Sequence, residues 1–598
     1  MDSTINLSRE QDFFISSALH HENILVDACI GSGKTTAIQH LCNALPNDVS
    51  ILYLTYNRLL KLDAQSKINN KNATVTNYHG FAYQSIPYPK PGMPQLLQAF
   101  NGRMPPIRHY DVLIIDEYQD ITQEIADMLL YIKSTNENMQ IIAVGDMAQK
   151  IYDTTTLDVM AFIHEFLGDY TQLEFTQCFR LQQAHAEMLG RIWRKKIVGV
   201  NESCKIEVMD MVEIIGFLSR HDPKDILCLG AKKGLMAKTL NTLESTYSAK
   251  FNKKTVYASI QERDANIDPG PTNAIFTTFD SSKGLERKIC VVFDFDETYW
   301  QIRVSMPNCR YEILRNIFCV AASRGKERII FVDNDNKLLS ENTLSTNVNE
   351  QMDFSDVDIS DMFDFKYRED INECFSLLET RLLSDAKSAP EININRVDEL
   401  IDLSPCIGVY QEAVFFSDYD IDKQIKFRLE VEKAAYLWVQ EVETSTLDEK
   451  ILFLTAQTTG QNRYLAQVRK PIVTDNDKVQ LVDRLLTEFT PHEENQVSCR
   501  IKFRTPRNYF YAKGLADVVK NGVVYELKFV TELKHEDFLQ CACYVVALNL
   551  KSGVLWNTRT NEKYEICIPD EGKFLDAVIK TITKGRIKKH SLRTPEKK

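Results

Sequence analysis

Asn23-Ile-Leu-Val-Asp-Ala28-Cys-Ile-Gly31-Ser32-Gly33-Lys34-Thr35-Thr36 is the stretch that decides the fold. A short apolar run enters a loop with two glycines, then a lysine, two threonines and a helical segment. This reads as strand, phosphate-binding loop and helix, with Ala28 where the pattern usually has its first glycine. Gly31 and Gly33 let backbone N–H groups approach phosphate, and the helix behind them turns its positive end the same way. Ser32, Lys34, Thr35 and Thr36 complete a cradle for ATP. Lys34 is expected on the β- and γ-phosphates and the Thr35 hydroxyl on Mg²⁺. A chance glycine-rich turn is the bland alternative, and its place between strand and helix argues against that.

Outward from the loop, residues 22–165 alternate short apolar runs (24–26, 51–54, 112–115, 141–144) with helical stretches. Residues 170–335 repeat the style, with runs at 226–229, 274–277, 289–293 and 329–332. Buried parallel strands in βαβ units read this way. The expected organisation is a first α/β domain at 1–168 and a second at 169–335. A linker with one helix near 369–383 follows at 336–400, then a third α/β domain at 401–590 and a basic tail at 591–598. A chain of 598 residues has room for several cores.

The net charge of −12 argues against a protein coated in nucleic acid but leaves room for a basic cleft. No apolar run has the roughly 20 residues of a membrane span, and residues 1–10 lack a signal-peptide layout. A cytoplasmic protein with no membrane partner is expected. The 14 cysteines form no CxxC, so zinc ribbons find no support.

Val112-Leu-Ile-Ile-Asp116-Glu117 is a second signal. An apolar strand ending in two acids puts one carboxylate at a metal and one at the attacking water. Asp116 is the expected Mg²⁺ partner and Glu117 the general base. Alone, the pair equally fits the cap of a helix.

The motif order resembles that of UvrD/Rep-like superfamily 1 DNA helicases, over residues 7–332. Leu7-Ser-Arg-Glu-Gln11 resembles the family's adenine-reading glutamine motif, and Asn77-Tyr-His79-Gly80 a strand-contacting one. Gln149, in Asp146-Met-Ala-Gln149, corresponds to the γ-phosphate sensor. Cys178-Phe179-Arg180 matches a motif whose ring stacks on adenine and whose arginine reaches the γ-phosphate. Lys283-Gly-Leu-Glu286 matches the KGLE motif, and Ser323-Arg324-Gly325 carries the second arginine finger. The resemblance implies two RecA-like parallel-sheet domains with ATP and Mg²⁺ between them, and 3′–5′ movement on DNA. Asp280, Cys319 and Asn77 depart from the family's usual His, Tyr and Thr. Asp153-Thr-Thr-Thr156 replaces a base-stacking aromatic pair, and the large inserted subdomains of family members are reduced or missing.

In the third domain, Asp517 and Glu526-Leu-Lys528 flank Asn521-Gly522, a two-residue hairpin signal. With that turn Lys520 pairs with Val523, and Asp517 falls opposite Glu526 on one face with Lys528. Adjacent acids suit Mg²⁺ or Mn²⁺. Lys528 would stabilise charge developing at a phosphodiester. Gln540 and Tyr544 share the next helix at i, i+4. The set resembles the PD-(D/E)xK core of RecB-like nucleases, whose first helix supplies a His or Glu ligand; Glu432 is the candidate, with Glu430 beside it. The combined reading is an ATP-dependent translocase joined to a deoxyribonuclease. It would act on single-stranded DNA and duplex ends, in repair, recombination or defence, where protein partners are expected. The rival reading is a DNA-sensing ATPase switch whose last domain grips DNA without cutting it.

Overall fold

The computed structural model describes residues 7–56, 58–87, 95–258, 269–305, 309–346, 355–392, 394, 399–432, 446–504 and 509–590. The first sheet has six strands, ordered Ala73–Asn77, Ile51–Thr55, Val112–Asp116, Gln140–Gly145, Ile24–Ala28 and Thr171–Phe175. Every neighbouring pair is parallel. The middle strands are apolar on both faces because helices cover both sides. The expected boundary at 168 needs correction. Thr171–Phe175 pairs with Ile24–Ala28, its alternating Leu173 and Phe175 filling the first core.

The second sheet is also six-stranded and parallel, ordered Val256–Ala258, Ala274–Thr278, Ile226–Gly230, Arg287–Val292, Gly325–Asp333 and Lys205–Asp210. One apolar cluster joins the two units, taking Cys29, Ile30 and Ile151 from the first and Phe279, Cys290 and Phe318 from the second. The glycine loop is therefore seated against the second unit.

The third sheet is mixed. Its order is Val357–Asp358, Tyr509–Lys520, Val523–Lys528, Ser552–Asn557, Glu562–Cys567 and Glu379–Ser384, with Glu494–Arg504 also paired to Tyr509–Lys520. Asn521 and Gly522 both have positive φ (51° and 76°), and Lys520 pairs with Val523. Helices Arg368–Ser376, His535–Ala547 and Glu571–Ile582 cover one face. A helical layer that includes Ser404–Phe415, Leu447–Thr459 and Asp475–Leu486 builds a second core beside it. The expected 336–400 linker is thus corrected as well. Residues 357–384 give this unit two strands and a helix, and bury Ile359, Met362 and Phe363. Among the described residues no helix is long and apolar enough to cross a membrane.

Candidate functional site

At the crest of the first sheet, Ile24–Ala28 runs into the glycine loop and helix Lys34–Ala44. Gly31 and Gly33 have φ of 69° and 75°. A Cβ on Gly31 would lie 2.9 Å from Arg180 Cβ, and one on Gly33 2.7 Å from Gln11 Nε2. Only glycine fits both the backbone and the space. No side chain caps the helix, so its first N–H groups are left for an anion. Thr35 and Thr36 lie in its first turn. Ser32 Oγ is buried without a hydrogen-bond partner.

Asp116 ends strand Val112–Asp116, two places along the sheet from Ile24–Ala28, and Glu117 follows it. Tyr53 donates its hydroxyl to Asp116 Oδ2 at 2.9 Å, while Asp116 Oδ1 is buried and accepts nothing. Burial, with Glu117 beside it, pushes the Asp116 carboxyl up. Burial acts the same way on Glu117, but Lys34 and Lys283 override it and hold that carboxyl low. Lys34 Nζ lies 3.5 Å from Glu117 Oε1, and Lys283 Nζ 3.7 Å from Oε2. Lys283 also pairs with Asp120, so the second unit grips Glu117 and Asp120 of the first. The partnerless Asp116 Oδ1 fits a divalent cation that keeps most of its water.

Arg180 and Arg324 close the cleft. Arg180 pairs with Glu286, which also holds Lys326 at 2.5 Å. Arg324 is buried, its Nε has no hydrogen-bond partner, and burial with Arg180 nearby pulls it down to about 10. Gln149 donates to Asp146 Oδ2 at 2.9 Å. Gln11 donates to the Ser32 carbonyl at 3.0 Å and receives Ser8 N–H at 2.9 Å, tying the first helix to the loop. Phe179 remains 43% exposed beside Gly33, free to take a planar ring on its outer face.

In the third unit, Asp517 Oδ2 accepts Leu527 N–H at 2.7 Å. Glu526 is buried; Lys528 Nζ sits 2.9 Å from its Oε1, while its Oε2 accepts nothing. Lys528 donates to Gln540 Oε1 at 2.7 Å, and Gln540 donates to the Tyr544 hydroxyl at 3.2 Å. Glu412, on helix Ser404–Phe415, completes the acidic group and receives Gln496 Nε2. Burial and Glu526 push its carboxyl up to about 8. Burial, Glu526 and Glu412 raise Asp517 in turn. Among the described residues no three ligand-type side chains form a ready-made metal cage. Two carboxylates with one orphaned oxygen still match Mg²⁺, which is commonly held by one or two carboxylates plus waters.

Residues 11–155 match a family model described as an AAA domain. No curated protein matches the chain. Among solved structures, it is similar to the DUF1998 helicase MrfA bound to DNA, at 12% identity and TM-score 0.33, over 56% of this chain and 50% of that one. It is similar to the Pif1 helicase from Candida albicans at 13% identity and TM-score 0.33, over 57% of this chain and 97% of that one. The Bacteroides sp Pif1 in complex with ADP-AlF4 is similar at 12% identity and TM-score 0.31, over 57% and 94%. The chain therefore spans half the length of the MrfA chain.

Of the residues singled out in the sequence, Lys34, Glu117, Arg180, Glu286 and Arg324 line one cleft. Gln11 and Phe179 flank Gly33, and Asp517, Glu526, Lys528, Gln540 and Tyr544 form a second group. The side chains of Glu430 and Glu432 lie outside the described residues. The sequence reading missed Glu412, which sits in an apolar helix with no motif around it. It also missed the Lys283–Asp120 bridge, which only folding brings together.

Proposed function

We propose that the chain is an ATP-driven motor of the superfamily 1 helicase type, acting on single-stranded DNA and joined to a metal-dependent DNA nuclease. The observation that carries the first half is Glu117 held between Lys34 of the first unit and Lys283 of the second, with Arg324 also acting on it, buried and incompletely bonded. Lys34 trades Glu117 for β- and γ-phosphate oxygens. Glu117, released and ionised, takes the proton of the attacking water. Arg180 and Arg324 donate to the γ-phosphate oxygens, a task that suits a planar, always-charged group. Thr35 and Asp116 would hold Mg²⁺, which would supply Lewis-acid polarisation there. Lys283 couples the acids to the second unit, so loss of the γ-phosphate loosens the cleft. The 3′–5′ polarity follows from the resemblance to UvrD/Rep helicases.

The nuclease half rests on the orphaned Glu526 oxygen between Lys528 and Asp517. Asp517 and Glu526, with Glu412 beside them and water completing the shell, would hold Mg²⁺ or Mn²⁺, which would supply an activated hydroxide. Lys528, aimed by Gln540, neutralises the phosphodiester. The role fitting both halves is processing or degrading DNA in repair, recombination or defence. The test is ATP hydrolysis with and without single-stranded DNA, run beside cleavage of labelled DNA in Mg²⁺, Mn²⁺ and chelator. Absence of DNA-stimulated hydrolysis sinks the motor, and metal-independent or absent cleavage sinks the nuclease.

A further inference from the structure

The hairpin that carries Asp517 has an outer face unlike the rest of this acidic chain. In Glu494–Arg504 the side chains of Ile501 and Phe503 are buried, and so are those of Phe510, Ala512 and Ala516 in Tyr509–Lys520. Alternate residues therefore point away from the core. On that side Arg504 pairs with Tyr509, Lys502 with Tyr511, Arg500 with Lys513 and Ser498 with Leu515. Tyr509 is 57% exposed and Leu515 48%.

Cations and rings interleave. Lys502 Nζ stands 3.9 Å from the Tyr509 ring centroid and 5.7 Å from that of Tyr511. Arg500 Cζ lies 5.0 Å from the Tyr511 centroid and Lys513 Nζ 5.9 Å. The two tyrosine rings sit 5.7 Å apart. Two acids border this face from the edge strand and the residue before it: Asp356 receives Tyr511 N–H at 2.8 Å and pairs with Lys513, and Asp358 lies in register with Lys513. Among the described residues no carboxylate pairs with Arg500 or Lys502. An ordinary solvated strand pair mixes both charge signs. Three cations on one strand of a chain of net charge −12 mark a local positive field instead.

The geometry points to a binding platform for single-stranded nucleic acid on this hairpin face, with bases stacked on Tyr509 and Tyr511 and phosphates held by Arg500, Lys502 and Arg504. Exposed rings next to basic side chains suit unpaired bases, because a duplex keeps its base faces stacked and offers only phosphates. The platform leads to the acidic group along the same strand. From Tyr511 to Asp517 is about 20 Å of extended chain. Gly514, between them, packs against Tyr544, where a Cβ would come within 2.6 Å of its ring. The same strand thereby joins the platform to the hairpin end that carries Asp517, the group that would act on a bound strand. That last step rests on the nuclease proposed above, whereas the binding does not.

The test uses the full chain in chelator, where nothing is cut, so binding is read whether or not the third unit is a nuclease. An oligo(dT) carrying 4-thiothymidine is irradiated with the protein, and cross-linked peptides are mapped. Cross-links at Tyr509 or Tyr511 are expected. Affinity for fluorescent oligo(dT) is measured with saturating unlabelled ATP analogue for wild type, for Arg500→Glu with Lys502→Glu, and for Tyr509→Ala with Tyr511→Leu. Each double variant is expected to lose cross-linking at the hairpin, with about tenfold weaker binding by this face. The charge reversal should also flatten the salt dependence by at least about one unit of slope. Unchanged cross-linking in both variants overturns the proposal. So does duplex DNA competing as well as the single strand, or poly-glutamate displacing the oligonucleotide, which would mark a surface for acidic protein. The melting profile of each double variant serves as the folding control and is expected to match that of wild type.

Discussion

Lys584 Nζ lies 2.9 Å from Asp153 Oδ2, both side chains nearly sealed from solvent. The pair joins the end of the third unit to the loop four residues beyond Gln149. Arg310 of the second unit completes the knot, giving its backbone N–H at 2.9 Å and its Nε at 3.0 Å to the same carboxylate. The neighbouring loop residues dock on helix Arg368–Ser376: the Thr154 carbonyl accepts Arg368 N–H at 2.7 Å, and Thr155 pairs with Glu369. The segment that departs from the helicase pattern is therefore where three units meet.

Removing the Asp153 carboxylate should be costly. Lys584 and Arg310 would stay in place, with buried Lys366 already pulled down to about 8 by burial and by Lys584. Breaking such a buried pair from one side typically costs about 3–5 kcal/mol. Asp153→Ala is expected to lower the denaturation midpoint strongly. Adding Lys584→Ala should recover part of the loss, giving a measurable coupling in a double-mutant cycle. Additive effects would mean that the contact does not hold the units together.

The cleft makes a sharper kinetic prediction. Arg324→Ala should reduce DNA-stimulated ATP hydrolysis by about 10³-fold or more, the scale of an arginine finger. Arg324→Lys should rescue little, because a single ammonium cannot replace a planar fork. Lys34→Ala should abolish hydrolysis while leaving cleavage of short single strands. Retained DNA-stimulated turnover in Lys34→Ala would dismiss the motor reading, and lost cleavage of short strands would mean that nucleotide binding gates the nuclease.

For the acidic group, the prediction concerns stability as well as activity. Glu412, Asp517 and Glu526 are buried together: burial raises all three carboxyls, Glu526 raises those of Glu412 and Asp517 further, and Glu412 adds to Asp517. Asp517→Asn removes one charge, so in chelator the variant is expected to melt no lower than wild type. Mn²⁺ should raise the melting temperature of wild type and not of Asp517→Asn. Glu412→Gln should weaken that metal response and cut cleavage by orders of magnitude with ATPase intact. An equal Mn²⁺ shift in all three proteins would place the metal elsewhere.

Local chemistry was the legible part of this chain. The glycine loop and the Asn521-Gly522 turn are dictated within a few residues, and register arithmetic from that turn placed Asp517 opposite Glu526. What stayed hidden depends on distant packing. Glu412 looks like any helix residue until Gln496 and Glu526 surround it. Residues 357–384 read as linker because their strands are short and polar, yet they pair with strands more than a hundred residues away. Asp153 could be seen as a missing aromatic, but not as the receiver of Lys584.

The last prediction is a pH dependence centred on His535. This residue begins helix His535–Ala547, and its ring stacks on Phe375 at 3.9 Å. Its Nδ1 donates to Asn372 Oδ1 at 2.9 Å. Burial, and then nearby Arg368, pull its pKa from 6.5 to about 4. The positive end of its own helix opposes the proton too. The folded state therefore prefers the neutral ring, while an unfolded chain takes up the proton near 6.5. Stability from this group is fully present above pH 6.5, is lost as pH falls toward 4, and changes no further below that. The full loss is on the order of 3 kcal/mol. His535→Phe keeps the stack on Phe375 and carries no titrating group. Hydrogen exchange of the 535–547 amides, corrected for intrinsic rates, should show protection falling between pH 7 and pH 5 more steeply in wild type than in His535→Phe. Parallel curves for the two proteins would mean that another group governs the acid sensitivity of this face.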